Sequence, residues 1–127
     1  MIIMSGLYRL IRPLAGIILF LTLFQGVAGW ELVMGNDYGH KHTAYLLFFA
    51  ALILPVVVIK SEIKEKTVLG NSFAVAGIAS IELVIGMFLM TDNWDYGWIH
   101  IPLAMMLAAH SFAVLISMRN AEIIENS

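Results

Sequence analysis

Four long apolar runs, each closed by a short cluster of polar and turn-forming residues, dominate this chain. They cover about 13–30, 42–59, 71–90 and 98–118, and each is near the ~20 residues that a helix needs to cross the hydrocarbon core of a bilayer. Polar positions inside the runs are too few to form the solvated stripe of a soluble amphipathic helix. The pattern predicts an all-α membrane protein, a four-helix transmembrane bundle forming one domain over residues 1–127. No stretch remains for a soluble module of useful size.

Composition agrees. The chain is 61% hydrophobic and 13% charged, against roughly 25% charged residues in a soluble domain. Its net charge of −2 includes no basic tract of the kind that binds nucleic acid, and the lipid bilayer is its first partner. The distribution of charge says more than the total. Arg9 and Arg12 precede the first run, Lys60, Lys64 and Lys66 lie between the second and third, and Arg119 follows the fourth. The other two connections hold only Lys41 among basic residues, beside Glu31, Asp37, Asp92 and Asp95. By the positive-inside rule both termini are cytoplasmic, and in a prokaryote the membrane is the plasma membrane. Trp30, Trp94, Trp98, Tyr38 and Tyr96 gather on the opposite side, as in an interfacial aromatic belt. The lack of cysteine excludes a disulfide framework, thiolate-held iron–sulfur clusters and covalent haem attachment.

The polar clusters on that opposite side repeat. Asp37-Tyr38-Gly39-His40-Lys41-His42 is echoed 58 positions on by Asp95-Tyr96-Gly97-Trp98-Ile99-His100, and Ala50-Ala51 by Ala108-Ala109. Upstream the offset is 57, and Gln25, Gly29, Leu32 and Asn36 face Glu82, Gly86, Leu89 and Asn93. A fixed period of this kind predicts two repeated helical hairpins, about 13–59 and 71–118, entering the membrane from the same side. Asp-Tyr-Gly is also good turn chemistry on its own, so convergence of two turns is the competing account.

By that count His42 and His100 are counterparts, in the first turns of the second and fourth helices and at one depth. Imidazoles from facing helices of a bundle are a ligand set for a six-coordinate haem b suited to electron transfer. Gly29 and Gly86, with Gly26, would let a flat macrocycle or a neighbouring backbone come close. The plain alternative is a pair of solvated interfacial histidines with no cofactor. His40 lies two residues before His42, nearly opposite on a helix, and is the substitute ligand if the helix starts later. His40-x-His42 with His100 would equally make a three-histidine copper or zinc site.

Two ionisable groups lie deeper. Glu82 falls within the third run, and His110 lies about 15 Å along its helix from His100. A carboxylate in hydrocarbon costs at least ~2.5 kcal/mol, so Glu82 has to be neutral, paired or wet. Similar depth predicts a Glu82–His110 contact, as a proton relay, as part of a quinone pocket, or as an interhelical tie.

At Gln25, Gly26 and Gly29, at His42 with Ala44, and at His100 with Ala104, the chain resembles one half of a haem A synthase. It is similar more broadly to small membrane cytochromes b. The haem A synthase family has two four-helix halves built of hairpins, with histidines on the second and fourth helices of each half. The likeness of pattern covers nearly the whole chain. The family's Glu-x-x-His is absent, with Asp37-x-x-His40 its nearest approximation, and its paired loop cysteines are missing. The resemblance therefore implies haem binding on a shared scaffold more than oxidation of a haem methyl group.

The expectation is a b-type cytochrome subunit of a larger respiratory or quinol-linked complex, passing electrons through a bis-histidine haem on His42 and His100. With no extramembrane domain in these residues, neighbouring membrane subunits or quinone would deliver and remove the electron. Two other readings stand beside it. One is a non-haem structural or accessory subunit, and the other is a haem-modifying or metal-handling enzyme using His40, His42 and His100.

Overall fold

A computed structural model describes residues 6–36, 39–89 and 96–126, the side chains of 122–126 excepted. Helix α1 runs over Tyr8–Val33, α2 over His40–Lys60, α3 over Lys66–Val84 and α4 over Gly97–Asn126, and α3 continues as a π-helical turn over Ile85–Leu89. All four helices are long and apolar enough to cross a membrane. Their outward faces carry exposed Phe20, Leu23, Val27, Leu46, Phe49, Phe73 and Met105. Water would penalise such a surface and lipid tails would not, so the chain has the architecture of an integral membrane protein. The Asp37-Tyr38 half of the first turn motif, and 90–95 with Asp92, Trp94 and Asp95, lie outside the described residues.

The helix ends follow from local chemistry. Gly35, at φ +89°, closes α1: its N–H donates to the Leu32 carbonyl and that of Asn36 to the Glu31 carbonyl, the paired bonds of a Schellman motif. Gly39, at φ +78°, sets the entry into α2. Glu65 caps α3 by accepting from the Thr67 hydroxyl at 2.6 Å and from its N–H. Those bonds hold the Glu65 carboxyl below its ordinary pKa. The tight α2–α3 turn leaves little freedom there, and Glu62 takes a left-handed φ of +59°.

The helices form a ring in which α1 packs on α2, α2 on α3, α3 on α4 and α4 on α1, leaving α2 and α4 at opposite corners. The start of α1, the end of α4 and the α2–α3 turn share the proximal end, and the end of α1, the start of α2, the end of the third helix and the start of α4 share the distal end. The core is concentrated toward the proximal end and its register is regular. Val68, Ser72, Val75, Ile78, Ala79 and Ile85 of the third helix are buried 57 positions beyond buried Ile11, Ala15, Ile18, Leu21, Thr22 and Ala28 of the first. Leu107, Ser111, Val114 and Met118 of the fourth are buried 60 positions beyond Leu47, Ala51, Leu54 and Val58 of the second. Buried serine and threonine hydroxyls stay satisfied without water. Thr22 donates to the Ile18 carbonyl, Ser72 to Leu69 and Ser111 to Leu107, at 2.7–2.8 Å, as polar side chains inside lipid-embedded helices must.

Candidate functional site

Distally the packing changes character. Beyond Thr22 in α1, before Leu47 in α2, beyond Ala79 in the third helix and before Leu107 in α4, the buried residues among those described are Ala28, Ile85 and Gly97. Half-buried polar side chains take the place of a packed core there: Gln25, His40, Thr43, Glu82 and His100.

His40 is the first residue of α2, and its imidazole lies over Gly29 of α1. A Cβ at position 29 would come within 3.1 Å of His40 Cε1, so glycine is what lets the ring sit there. Gln25, one turn deeper, secures the same corner. Its Nε2 donates to the His40 carbonyl at 3.0 Å and to the Thr43 hydroxyl oxygen. The first turn of α2 is thereby tied to α1.

His100, in the first turn of α4, occupies the corresponding corner of the other hairpin. Its Nδ1 lies 2.6 Å from Glu82 Oε2, with the His100 and Glu82 side chains 22% and 11% exposed. The contact is close but angled, so it acts as an electrostatic contact more than as a straight hydrogen bond. Glu82 Oε1 is buried with no hydrogen-bond partner among the described residues. Gly86, in the π-helical turn, faces His100 Cε1, which would lie 3.8 Å from a Cβ placed there. Such turns admit an extra residue and recur at functional sites.

Several expected pairings differ. His42 does lie in the first turn of α2, but it is exposed and stands outside this arrangement. The core offset of 60 between α2 and α4 pairs His100 with His40 instead. The offset of 58 belongs to the turn motif, and a turn constrains helix register far less than the packed core does. His40-x-x-x-Ala44 and His100-x-x-x-Ala104 carry the same information in the sequence. The offset of 57 between the first and third helices does match the core, and it pairs Gln25 with Glu82 and Gly29 with Gly86.

Glu82 contacts His100, and His110 contacts Asn71, Nδ1 to Oδ1 at 2.7 Å. The helices are antiparallel, so Glu82, near the distal end of α3, cannot be level with His110, which lies ten residues into α4 beyond His100. Among the described residues no three histidine, cysteine or acidic groups come together to hold a metal ion, so the three-histidine copper or zinc set is not assembled. Thr43 and Asn71 were not singled out from the sequence. Asn71, an amide within an apolar run, was the available signal. Compared with protein-family models, curated proteins and solved structures, the chain matches none.

Proposed function

We propose that this chain is a membrane b-type cytochrome that binds one haem at its distal end, between α2 and α4, with His40 and His100 as the iron ligands. The carrying observation is the equivalence of the two corners. Core offsets of 57 and 60 superpose Gln25, Gly29 and His40 on Glu82, Gly86 and His100. That equivalence supports two repeated hairpins related by an axis along the membrane normal. A ligand at the axis would then receive one histidine from each.

The residues present fit a haem in three respects. Glu82 lies beside His100 Nδ1, where a carboxylate can orient a metal-bound histidine, and Nε2 is then the nitrogen that would face iron. Gly29 makes room for the His40 ring, and Gly86 stands at the corresponding place beside His100. The distal interior is polar and sparsely packed, whereas the proximal interior is closed. When bound, the haem would supply a one-electron couple. The chain itself would orient the imidazoles, exclude water proximally and set the electrostatics through Glu82. Basic residues at the proximal end (Arg9, Arg12, Lys60, Lys64, Lys66 and Arg119) support cytoplasmic termini and a haem toward the outer face. A partner subunit or a quinone is the natural source and sink of the electron.

Optical spectroscopy of purified protein tests the reading. A Soret band that shifts on dithionite reduction is expected, with low-spin character lost in His40→Ala and in His100→Ala and kept in His42→Ala. A preparation that stays colourless after haem addition would leave a structural accessory subunit as the better description. Loss of the spectrum in His42→Ala alone would overturn the pairing argued from the core register.

A further inference from the structure

The two histidine corners are held by different means. In the second hairpin Glu82 acts on the His100 ring itself, at Nδ1. In the first, Gln25 takes hold of the backbone. Both hydrogens of its amide are engaged on α2, one on the His40 carbonyl at 3.0 Å and one on the Thr43 hydroxyl oxygen. Thr43 in turn donates its hydroxyl hydrogen to the Gly39 carbonyl at 3.0 Å, and its N–H reaches the same carbonyl at 3.0 Å. Residues 39, 40 and 43 are thereby gathered around one side chain from α1.

The second hairpin lacks both halves of this cluster. At the core offsets of 57 and 60 the counterparts of Gln25 and Thr43 are Glu82 and Leu103. An ionised carboxylate has no hydrogen to donate, and leucine has no hydroxyl to receive one. The two positions differ together: amide with hydroxyl in one corner, carboxylate with an apolar side chain in the other.

The acceptors on α2 do not need Gln25. His40 is the first residue of α2, so its carbonyl takes an intrahelical bond from four residues on, and the Thr43 hydroxyl closes back on Gly39. What Gln25 adds is a fixed place for the start of α2 against α1. Gly29 shows how narrow that place is, since a Cβ there would stand 3.1 Å from His40 Cε1. A slide of the first turn toward α1 would press the ring onto the α1 backbone, and a slide away would withdraw it from the axis.

Taking His40 and His100 as the haem ligands proposed above, we infer that Gln25 and Thr43 are positioning residues for His40. They hold the first turn of α2 at the depth from which the ring reaches the axis, and so set the ring from its backbone. Glu82 sets His100 from the ring. Loss of Gln25 therefore displaces His40 and leaves His100 in place.

The test uses the full chain in phosphatidylcholine nanodiscs with 15N-labelled histidine, before and after haem addition. Gln25→Met keeps the length and loses the donors, Thr43→Val keeps the shape and loses the hydroxyl, and Thr43→Ser keeps the hydroxyl. Without haem, Gln25→Met and Thr43→Val should move the His40 signals and leave those of His100 and His110, with Thr43→Ser matching the unaltered protein. With haem, the same two variants should bind about tenfold more weakly, the lower end of what residues that orient a metal ligand contribute. They should also shift the largest g-value of the ferric low-spin signal, which reports the angle between the two imidazole planes. The thermal midpoint of Gln25→Met should hold, because no acceptor is stranded. A lower midpoint with unmoved His40 signals and an unchanged g-value would overturn the assignment and leave Gln25 an interhelical tie. Thr43→Ser behaving like Thr43→Val would overturn the part given to the hydroxyl. Should the unaltered protein take up no haem, the haem reading falls, while the haem-free histidine spectra still uphold or overturn the placement of His40 by Gln25.

Discussion

The proximal and distal ends of this bundle are built from the same four helices and solve different problems. Proximally, Ile11, Ile18, Leu54, Val58, Val68, Val75, Val114 and Met118 close the interior, with the buried hydroxyls of Thr22, Ser72 and Ser111 bonded back to their own helices. Distally the interior is made of Gln25, His40, Thr43, Glu82 and His100, all only half-buried. Inside a membrane the hydrophobic effect does not drive helices together, because lipid tails are as apolar as leucine. Close packing and satisfied polar groups must hold the bundle instead. The proximal end supplies the packing, and that frees the distal end to carry polar groups in an arrangement a tight core would not admit.

The sharpest way to break this contrast is to remove volume at each end. Leu54→Ala, at a fully buried proximal position, should destabilise by about 2–3 kcal/mol. That is the low end of leucine truncations, since the transfer part of the loss is small in lipid and the cavity part remains. Leu103→Ala, partly buried toward the distal end, should cost less than about 1 kcal/mol. Unfolding in mixed micelles followed by circular dichroism measures both. Equal losses would mean that the distal interior is as closely packed as the proximal one.

The same contrast explains what could be read without coordinates. The four helices were legible because each apolar run has the length a bilayer imposes, and the observed spans begin and end within a few residues of them. The offset of 57 was legible because Gln25 and Glu82, and Gly29 and Gly86, lie within continuous helices where register propagates. The equivalence of His40 with His100 was harder to see. It depends on how α2 and α4 are spaced from the helices before them, and buried Ile85 and Leu107 are three positions further apart than their counterparts Ala28 and Leu47. Apolar sequence is also nearly uniform around these helices, so the faces that meet cannot be read from hydrophobicity alone. Contacts such as Glu82–His100 and Asn71–His110 depend on those faces and on antiparallel depth.

A second prediction concerns the polar end alone. Glu82 has one oxygen against His100 and the other with no partner among the described residues, so its pairing with the imidazole is what makes the carboxyl tolerable. His100→Leu by itself should destabilise by about 1–3 kcal/mol, because a buried polar group is stranded. Glu82→Leu combined with His100→Leu should return stability close to that of the unaltered protein, since replacing both partners removes the stranded group. A double-mutant cycle in the same micelles isolates the coupling. If the double variant were no more stable than His100→Leu, Glu82 would be solvated independently of the histidine, and the distal end would be wetter than its burial indicates.

The smallest effects separate the two corners that the core register makes equivalent. A methyl group added at Gly29 would stand 3.1 Å from His40 Cε1, whereas one added at Gly86 would meet His100 Cε1 at 3.8 Å, an ordinary contact. Gly29→Ala therefore has to displace the His40 ring, at a cost of about 1 kcal/mol, the scale of modest overpacking. Gly86→Ala should be neutral to within about 0.5 kcal/mol, with any gain in helix propensity limited by the π-helical turn around it. Thermal melts in detergent rank the two, and histidine 15N spectra report which ring has moved. A displaced His40 with an unmoved His100 would identify the first corner as the tighter of the two. Gly29→Ala and Gly86→Ala perturbing their histidines alike would mean instead that both rings are held equally closely.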